Sequence, residues 1–232
     1  MKLSNRLQCI ANLIDKCEIS ADIGTDHAYL PIYLIGKGVC KKVIASDVKN
    51  EPAKKAIRNI AEVGYENFID VRIGNGLEVL NEHETETIII SGMGAAEINR
   101  ILEKNVNIAK TARNLILQPM TQHFKLRSWL KKNNYIISDE DLCKEEGRIY
   151  LVLKVGYDEK KKDDSNIYFG NILFQKKHPL LPEYIQKYIR EYEDVRMELI
   201  SSDSVSLNQR IKEIEVKIEL FYKLLRITKN IE

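Results

Sequence analysis

The chain has 232 residues, with 36 Lys and Arg against 34 Asp and Glu, a formal net charge of +2 and four cysteines. That length holds one substantial α/β domain plus a smaller module, with a core that needs no staples, and so small a net charge neither demands nor excludes nucleic acid. Cys9, Cys17, Cys40 and Cys143 are scattered, with no C-x-x-C pair and no histidine at ligand spacing, which speaks against a disulfide framework or a metal site; no charged-then-apolar leader and no membrane-length apolar run appears, so a cytoplasmic protein is expected.

Leu3, Leu7, Ile10, Ala11 and Ile14 recur at helical spacing behind a capping Ser4, which predicts an amphipathic helix from about Ser4 to Ile14 with Arg6 on its polar side. The run Ile19 to Tyr33 (ISADIGTDHAYLPIY) then reads as strand, loop and helix, with Pro31 in the first helical turn. Ligands of open α/β sheets lie outside the carboxyl ends of strands. This loop has only Gly24 where a pyrophosphate cradle has three glycines, and it sets Asp22 and Asp26 beside it. Two carboxylates repel a diphosphate and attract a cationic cofactor such as S-adenosylmethionine. Capping of the next helix is the competing role for Asp26.

Lys42 to Asp47 (KVIASD) reads as a second strand, ending in an acid about 20 residues after the glycine, where nucleotide-binding sheets place a ribose-binding carboxylate. A helix from Pro52 to Val63 follows, and then a strand from Ile69 to Ile73 closed by Gly74-Asn75-Gly76. The Asn75 amide offers the donor and acceptor that an adenine edge requires; an Asn-Gly turn without a ligand is the alternative. Thr87 to Ser91 is a near-continuous apolar strand, followed by Gly92-Met93-Gly94 and a helix from Ala95 to Leu102. Leu115 to Gln118 makes a fifth strand ended by Pro119, and a helix near Phe124 to Lys132 carries Arg127, Trp129, Lys131 and Lys132. Tyr135 to Ser138 and Ile149 to Val155, joined by Glu145-Glu146-Gly147-Arg148, are too close for a crossover helix and should pair antiparallel.

The expected architecture is a doubly wound, seven-stranded, mostly parallel α/β sheet with every glycine-bearing loop on one edge. Composition changes after Gly156. Asp158 to Asp164 is a charged run, read as a solvated connector, with basic contact to a polyanion as the alternative. Ile185, Tyr188, Tyr192, Val195 and Leu199, and then Leu207, Ile211, Ile214, Ile218, Phe221 and Leu225, form two stripes joined by Ser201-Ser202-Asp203-Ser204, which predict a C-terminal α-helical hairpin. The domain boundaries are set at 1–156 and 157–232. The hairpin is assigned packing or dimerisation, or else the extension of a binding surface for something long, with a monomer or weak homodimer expected.

The residues ADIGTDHAYLPIYL, IASDV, VRIGNGL, IIISGMG and LILQP, in this order and behind LSNRL, resemble the bacterial tRNA (adenine(22)-N1)-methyltransferase family, TrmK. The resemblance implies a Rossmann-like class I methyltransferase fold with a coiled-coil C-terminal domain, S-adenosylmethionine as cofactor and tRNA as substrate. It places Asp22, Gly24, Asp26 and His27 around the methionine part of the cofactor and Asp47 and Val48 at its ribose. Asn75 and Gly76 fall near the adenine, and Gly92, Met93 and Gly94 face the methyl group and target base. Asn75 stands where the family pattern suggests Asp, and Met120 where it suggests Asn.

Adenine N1 is already nucleophilic, so alignment with the sulfonium methyl is the main task. Backbone carbonyls near Gly92 or the Gln118 amide are candidates to hold the exocyclic amine, and Asp26 or His27 to relay a proton. Arg6, Lys41, Lys42, Arg127, Lys131 and Lys132 are candidates for phosphate contact, against a solvated charged face. Two other readings stand beside this one: a methyltransferase on another substrate, and a non-catalytic RNA-binding or assembly module.

Overall fold

The computed structural model describes residues 2–160, 167–201 and 208–229. The chain divides into two compact units, Met1–Tyr168 and Phe169–Glu232.

The first unit is built on a seven-stranded sheet. In chain order its strands are β1 (Cys17–Ile23), β2 (Cys40–Asp47), β3 (Ile69–Ile73), β4 (Thr87–Met93), β5 (Asn114–Pro119), β6 (Tyr135–Glu145) and β7 (Arg148–Tyr157). They lie in the order β3-β2-β1-β4-β5-β7-β6. β1 to β5 run parallel and β7 is antiparallel to both neighbours, so the order reverses at β1, where β4 pairs on one side and β2 on the other. That switch point opens a crevice at the carboxyl edge. The central strands are apolar throughout because helices cover both faces; Ile88, Ile89 and Ile90 of β4 have no exposure at all.

The helices of this unit are α1 (Asn5–Asn12), α2 (Tyr29–Gly36), α3 (Asn50–Glu62), α4 (Ala95–Lys104), α5 (Val106–Thr111) and α6 (His123–Lys132). Ser4 caps α1 through a bond from Leu7 N at 3.4 Å. α3 begins at Asn50, two residues ahead of Pro52, which still falls in the first turn and loses no bond there. The short α5 and the 3-10 turn over Gly76–Val79 carry too few residues for a period to show in sequence.

β6 corrects one expectation. It continues past Ser138 through the acid-rich Asp139-Glu140-Asp141 to Glu145, because β7 pairs with it all the way to Glu145↔Arg148. Acidic residues are poor strand formers, but a full ladder with a neighbour overrides that preference. One of them, Glu140, is fully buried and ion-paired with the equally buried Arg127 of α6.

The second unit contains α7 (Asn171–Gln175), α8 (Leu181–Ser201) and α9 (Asn208–Lys229). Phe169 packs edge-on against Tyr184, Tyr188 and Phe221, and Ile185, Ile189, Ile214, Ile218 and Leu225 are buried with them. Val195, expected in the stripe, is 39% exposed: burial fades toward the end of α8. Leu207, residues 202–204 of the expected connector and residues 161–164 of the charged run lie outside the described residues. Among the described residues no helix is long and apolar enough to cross a membrane.

Candidate active site

The carboxyl edge of β1, β2, β3 and β4 surrounds a cavity of about 300 Å³. Its walls include Gly24 and Asp26 after β1, Ser46, Asp47, Val48 and Lys49 at the end of β2, Gly74, Asn75 and Gly76 after β3, and Ser91, Gly92 and Met93 at the end of β4. Pro52, Glu97 and Ile101 come from the helices α3 and α4 that follow. A larger cavity, about 520 Å³, lies along β3 and the start of β2 with Lys42, Phe68 and Arg72 in its wall. It is away from the carboxyl edge, and the Arg72 charge is consumed by Asp70 and Glu84. The smaller cavity is the chemically equipped one.

Asp22, next to the cavity-lining Ile23 on β1, is 5% exposed, and burial pushes its carboxyl up to about 6 against the opposing pull of a Thr25 hydrogen bond and the Arg6 charge. A raised carboxyl pKa means that the folded chain holds the proton more tightly than the unfolded one. The associated stability is present below the ordinary value of 3.8 and is lost as pH rises through about 6, leaving a buried charge at neutral pH. Asp22→Asn is therefore expected to raise the stability of the ligand-free protein by roughly 1–3 kcal/mol at pH 8. The gain should vanish toward pH 4, and cofactor affinity should fall at pH 8. Thermal unfolding at both pH values, with and without cofactor, measures this.

Asp26 does not cap α2. The N-cap is Ala28 in the left-handed region (φ 56°), with no side-chain bond to the helix, and the Asp26 carboxylate instead lies 3.1 Å from His27 Nε2. The His27 ring stacks on Tyr29 with centroids 5.1 Å apart, and Tyr29 is 45% exposed. Gly24, at φ 81°, holds a left-handed backbone conformation that side chains rarely adopt, while a Cβ there would meet only the far end of the flexible Met93 side chain.

At the end of β2, in the cavity wall, Asp47 Oδ1 accepts from Lys49 N at 2.8 Å, which turns the chain into α3 and leaves the second carboxylate oxygen without a hydrogen bond among the described residues. Ser46 Oγ is buried in the same wall with no partner among the described residues. Asn75 Oδ1 accepts weakly from Arg100 Nη2 at 3.4 Å, so its amide N–H groups are the unspent end. A bulge between Ser91 and Met93 takes Gly92 out of register with β5 at φ 75°, which turns residues 91–94 over the cavity. The Asp26 and Asp47 carboxylates, which accept, and the Asn75 amide N–H groups, which donate, give the cavity a polar lining that suits a cationic nucleoside.

Most of the chain matches the model of the tRNA (adenine(22)-N(1))-methyltransferase family, TrmK, over residues 20–223. A tRNA (adenine(22)-N(1))-methyltransferase of Bacillus subtilis is 33% identical over 235 residues, 97% of this chain and 98% of that protein. The chain belongs to the TrmK family. Among solved TrmK-like structures, Streptococcus pneumoniae Sp1610, described as a putative tRNA (m1A22) methyltransferase, in complex with S-adenosyl-L-methionine superposes with a TM-score of 0.84 at 30% identity, covering 97% of this chain and all of that one. Mycoplasma capricolum TrmK with S-adenosyl-homocysteine gives a TM-score of 0.83 at 29% identity, covering 98% and 100%.

Against this TrmK fold several expected site residues shift. Gln118 has no exposed surface: Oε1 accepts from Arg6 and Gly92, and Nε2 donates to Pro119 O at 2.9 Å, so it cannot grip a substrate amine. Arg127 is buried against Glu140 and is closed to phosphate. Arg6 is half-buried and turned inward. Lys41 and Lys42 start β2, at the opposite end of the strand from the cavity, and Lys41 pairs with Glu18 at 2.7 Å. Lys131 and Lys132 end α6, which runs back from the carboxyl edge, roughly 13 Å along the helix from its start. Ser46 and Lys49, missed as site residues, flank the expected Asp47 and Val48; Glu97 and Ile101 gave no signal, since α4 reads as an ordinary amphipathic helix.

Proposed function

We propose that this TrmK protein transfers the methyl group of S-adenosylmethionine to N1 of adenine 22 in tRNA. The observation that carries the reading is the convergence of the family's signature loops on one cavity whose polar groups suit that cofactor. Asp47 holds the ribose hydroxyls, and the Asn75 amide meets the adenine edge beside Gly76. Val48 lines the sugar. Gly24, Asp26 and His27 surround the methionine part, with the Asp22 charge beside them. The cofactor supplies the electrophilic methyl; residues 92–94 align it with the base.

The displacement moves no proton: positive charge leaves the sulfonium and arrives on the methylated adenine. Asp26 and His27 thus need not act as bases. Asp26, exposed at the rim, faces a cation before and after transfer, and that electrostatic role replaces proton relay. The target base must leave its stack, at a cost of roughly a few kcal/mol. Lys49 in the cavity wall and the exposed Lys125 in the first turn of α6 are better placed for phosphate than the lysines that start β2. The protein works in the cytoplasm with its four thiols free, as a monomer or a weak homodimer.

Labelled methyl transfer to an unmodified tRNA transcript, with nucleoside analysis of the product, tests the reading. The expected product is 1-methyladenosine, absent when adenine 22 is replaced by guanine. Transfer that persists on the replaced transcript would refute the position, and cofactor binding without any transfer to tRNA would refute the substrate.

A further inference from the structure

Three segments far apart in sequence meet behind the 91–94 bulge. Arg6 on α1 donates from Nη1 to Gln118 Oε1 at 3.0 Å, and the Gly92 N–H donates to the same oxygen at 3.1 Å. The Gln118 amide nitrogen is directed the other way, to Pro119 O at 2.9 Å and toward Met120 Sδ at 3.5 Å. An amide side chain has two faces of opposite polarity that differ little in shape. Two donors on one side decide which face turns to Gly92; with one donor removed, the flipped amide would set N–H against N–H.

Arg6 is itself held in place. Its backbone N–H donates to Glu145 Oε2 at 2.9 Å, and Asn5 Nδ2 donates to Lys144 O at 3.0 Å, so the tip of the β6–β7 hairpin clasps the first turn of α1. The guanidinium lies 5.9 Å from the Tyr150 ring centroid, on β7. A cation committed to a buried amide and an aromatic face is not arranged for phosphate.

We infer that Arg6 is a positioning residue for methyl transfer: from the N-terminal helix it fixes the Gln118 amide, whose oxygen holds the bulged Gly92 N–H and so sets residues 91–94 over the cofactor cavity. This rests on the methyltransferase reading above. The segment that must align methyl and base is thereby locked by a side chain that touches neither. Because the lock acts on alignment, its loss should appear in turnover rather than in binding.

The test compares Arg6→Ala, Arg6→Lys, Gln118→Leu and the double variant Arg6→Ala/Gln118→Leu. For each, the turnover number, the KM for tRNA, the cofactor Kd by calorimetry and the Gly92 amide exchange by NMR are measured. Arg6→Ala and Gln118→Leu should each lower turnover about 10–100-fold, with KM and Kd within about threefold of the parent, and the double variant should be no worse than either alone. Gly92 exchange should quicken in step, and Arg6→Lys should restore part of both.

A raised KM with unchanged turnover and a protected Gly92 amide would make Arg6 a phosphate contact and overturn the inference. Multiplying effects in the double variant would also overturn it. The Gly92 exchange needs no turnover: a parent protein that transfers nothing to tRNA, yet loses Gly92 protection on Arg6→Ala, refutes the methyltransferase reading and retains the lock.

Discussion

Replacing Asp47 with alanine is expected to weaken cofactor binding about 10–100-fold and to lower methyl transfer at fixed cofactor concentration by the same factor. The size follows from the chemistry of the acceptor, since hydrogen bonds to a charged group contribute about 1.5–3 kcal/mol, and about 1.4 kcal/mol is a factor of ten. In this fold Asp47 ends β2 at the cavity wall, with one oxygen spent on Lys49 N and the other unspent. Asp47→Asn keeps an oxygen for Lys49 N but removes the charge, so it should fall between parent and alanine. Calorimetric titration with S-adenosylhomocysteine separates the three proteins. An Asp47→Ala protein that binds like the parent would remove Asp47 from the ribose.

Replacing Glu140 with alanine should cost stability without touching the cavity. Its carboxylate neutralises Arg127, whose side chain is 1% exposed and whose Nε and Nη1 have no partner among the described residues. A guanidinium does not discharge by giving up its proton, so the variant carries a buried cation stripped of its counter-ion. Breaking such a pair typically costs about 3–5 kcal/mol, which for a domain of this size lowers Tm by roughly 6–20 °C. The double replacement Arg127→Met/Glu140→Leu should recover much of that loss, because a buried pair exchanged for apolar groups of similar volume is often neutral. Thermal unfolding of the three proteins decides the matter; a Glu140→Ala protein as stable as the parent would place the pair outside the energetics of the fold.

Both predictions concern acids at strand positions, and they differ in how visible they were. Asp47 announced itself: an acid ending an apolar strand, at the right distance from Gly24, marks a nucleotide site because each part of the pattern is local. Glu140 did not. The strand expected from sequence stops at Ser138, ahead of Asp139-Glu140-Asp141, and only pairing with β7 extends it so that Glu140 meets Arg127 of α6. Arg127 misled for the same reason. On a helix that also carries Lys125, Lys131 and Lys132 it looks like one more basic surface residue, yet it occupies the face turned to the core. Gln118 was found, but in the wrong role: its place at the end of β5 suggested substrate contact, and its burial denies it. The order of β1 to β5, the antiparallel end of the sheet and the loops that share one edge follow from local periodicity and from the handed, short connections that α/β chains obey.

The sheet, the helical hairpin, the loops that carry the site and, through their spacing, the family are all written in the order of the amino acids. They are properties of neighbouring residues, where apolar period, glycine and a terminal acid act within one strand–loop–helix unit. Which charges are spent and which are free emerges only once the chain has folded. Arg6 meets Gln118 across 112 positions, and Arg127 meets a glutamate on another strand. Electrostatics and hydrogen bonding depend on distance in space and on burial, and neither is written in the separation of residues along the chain.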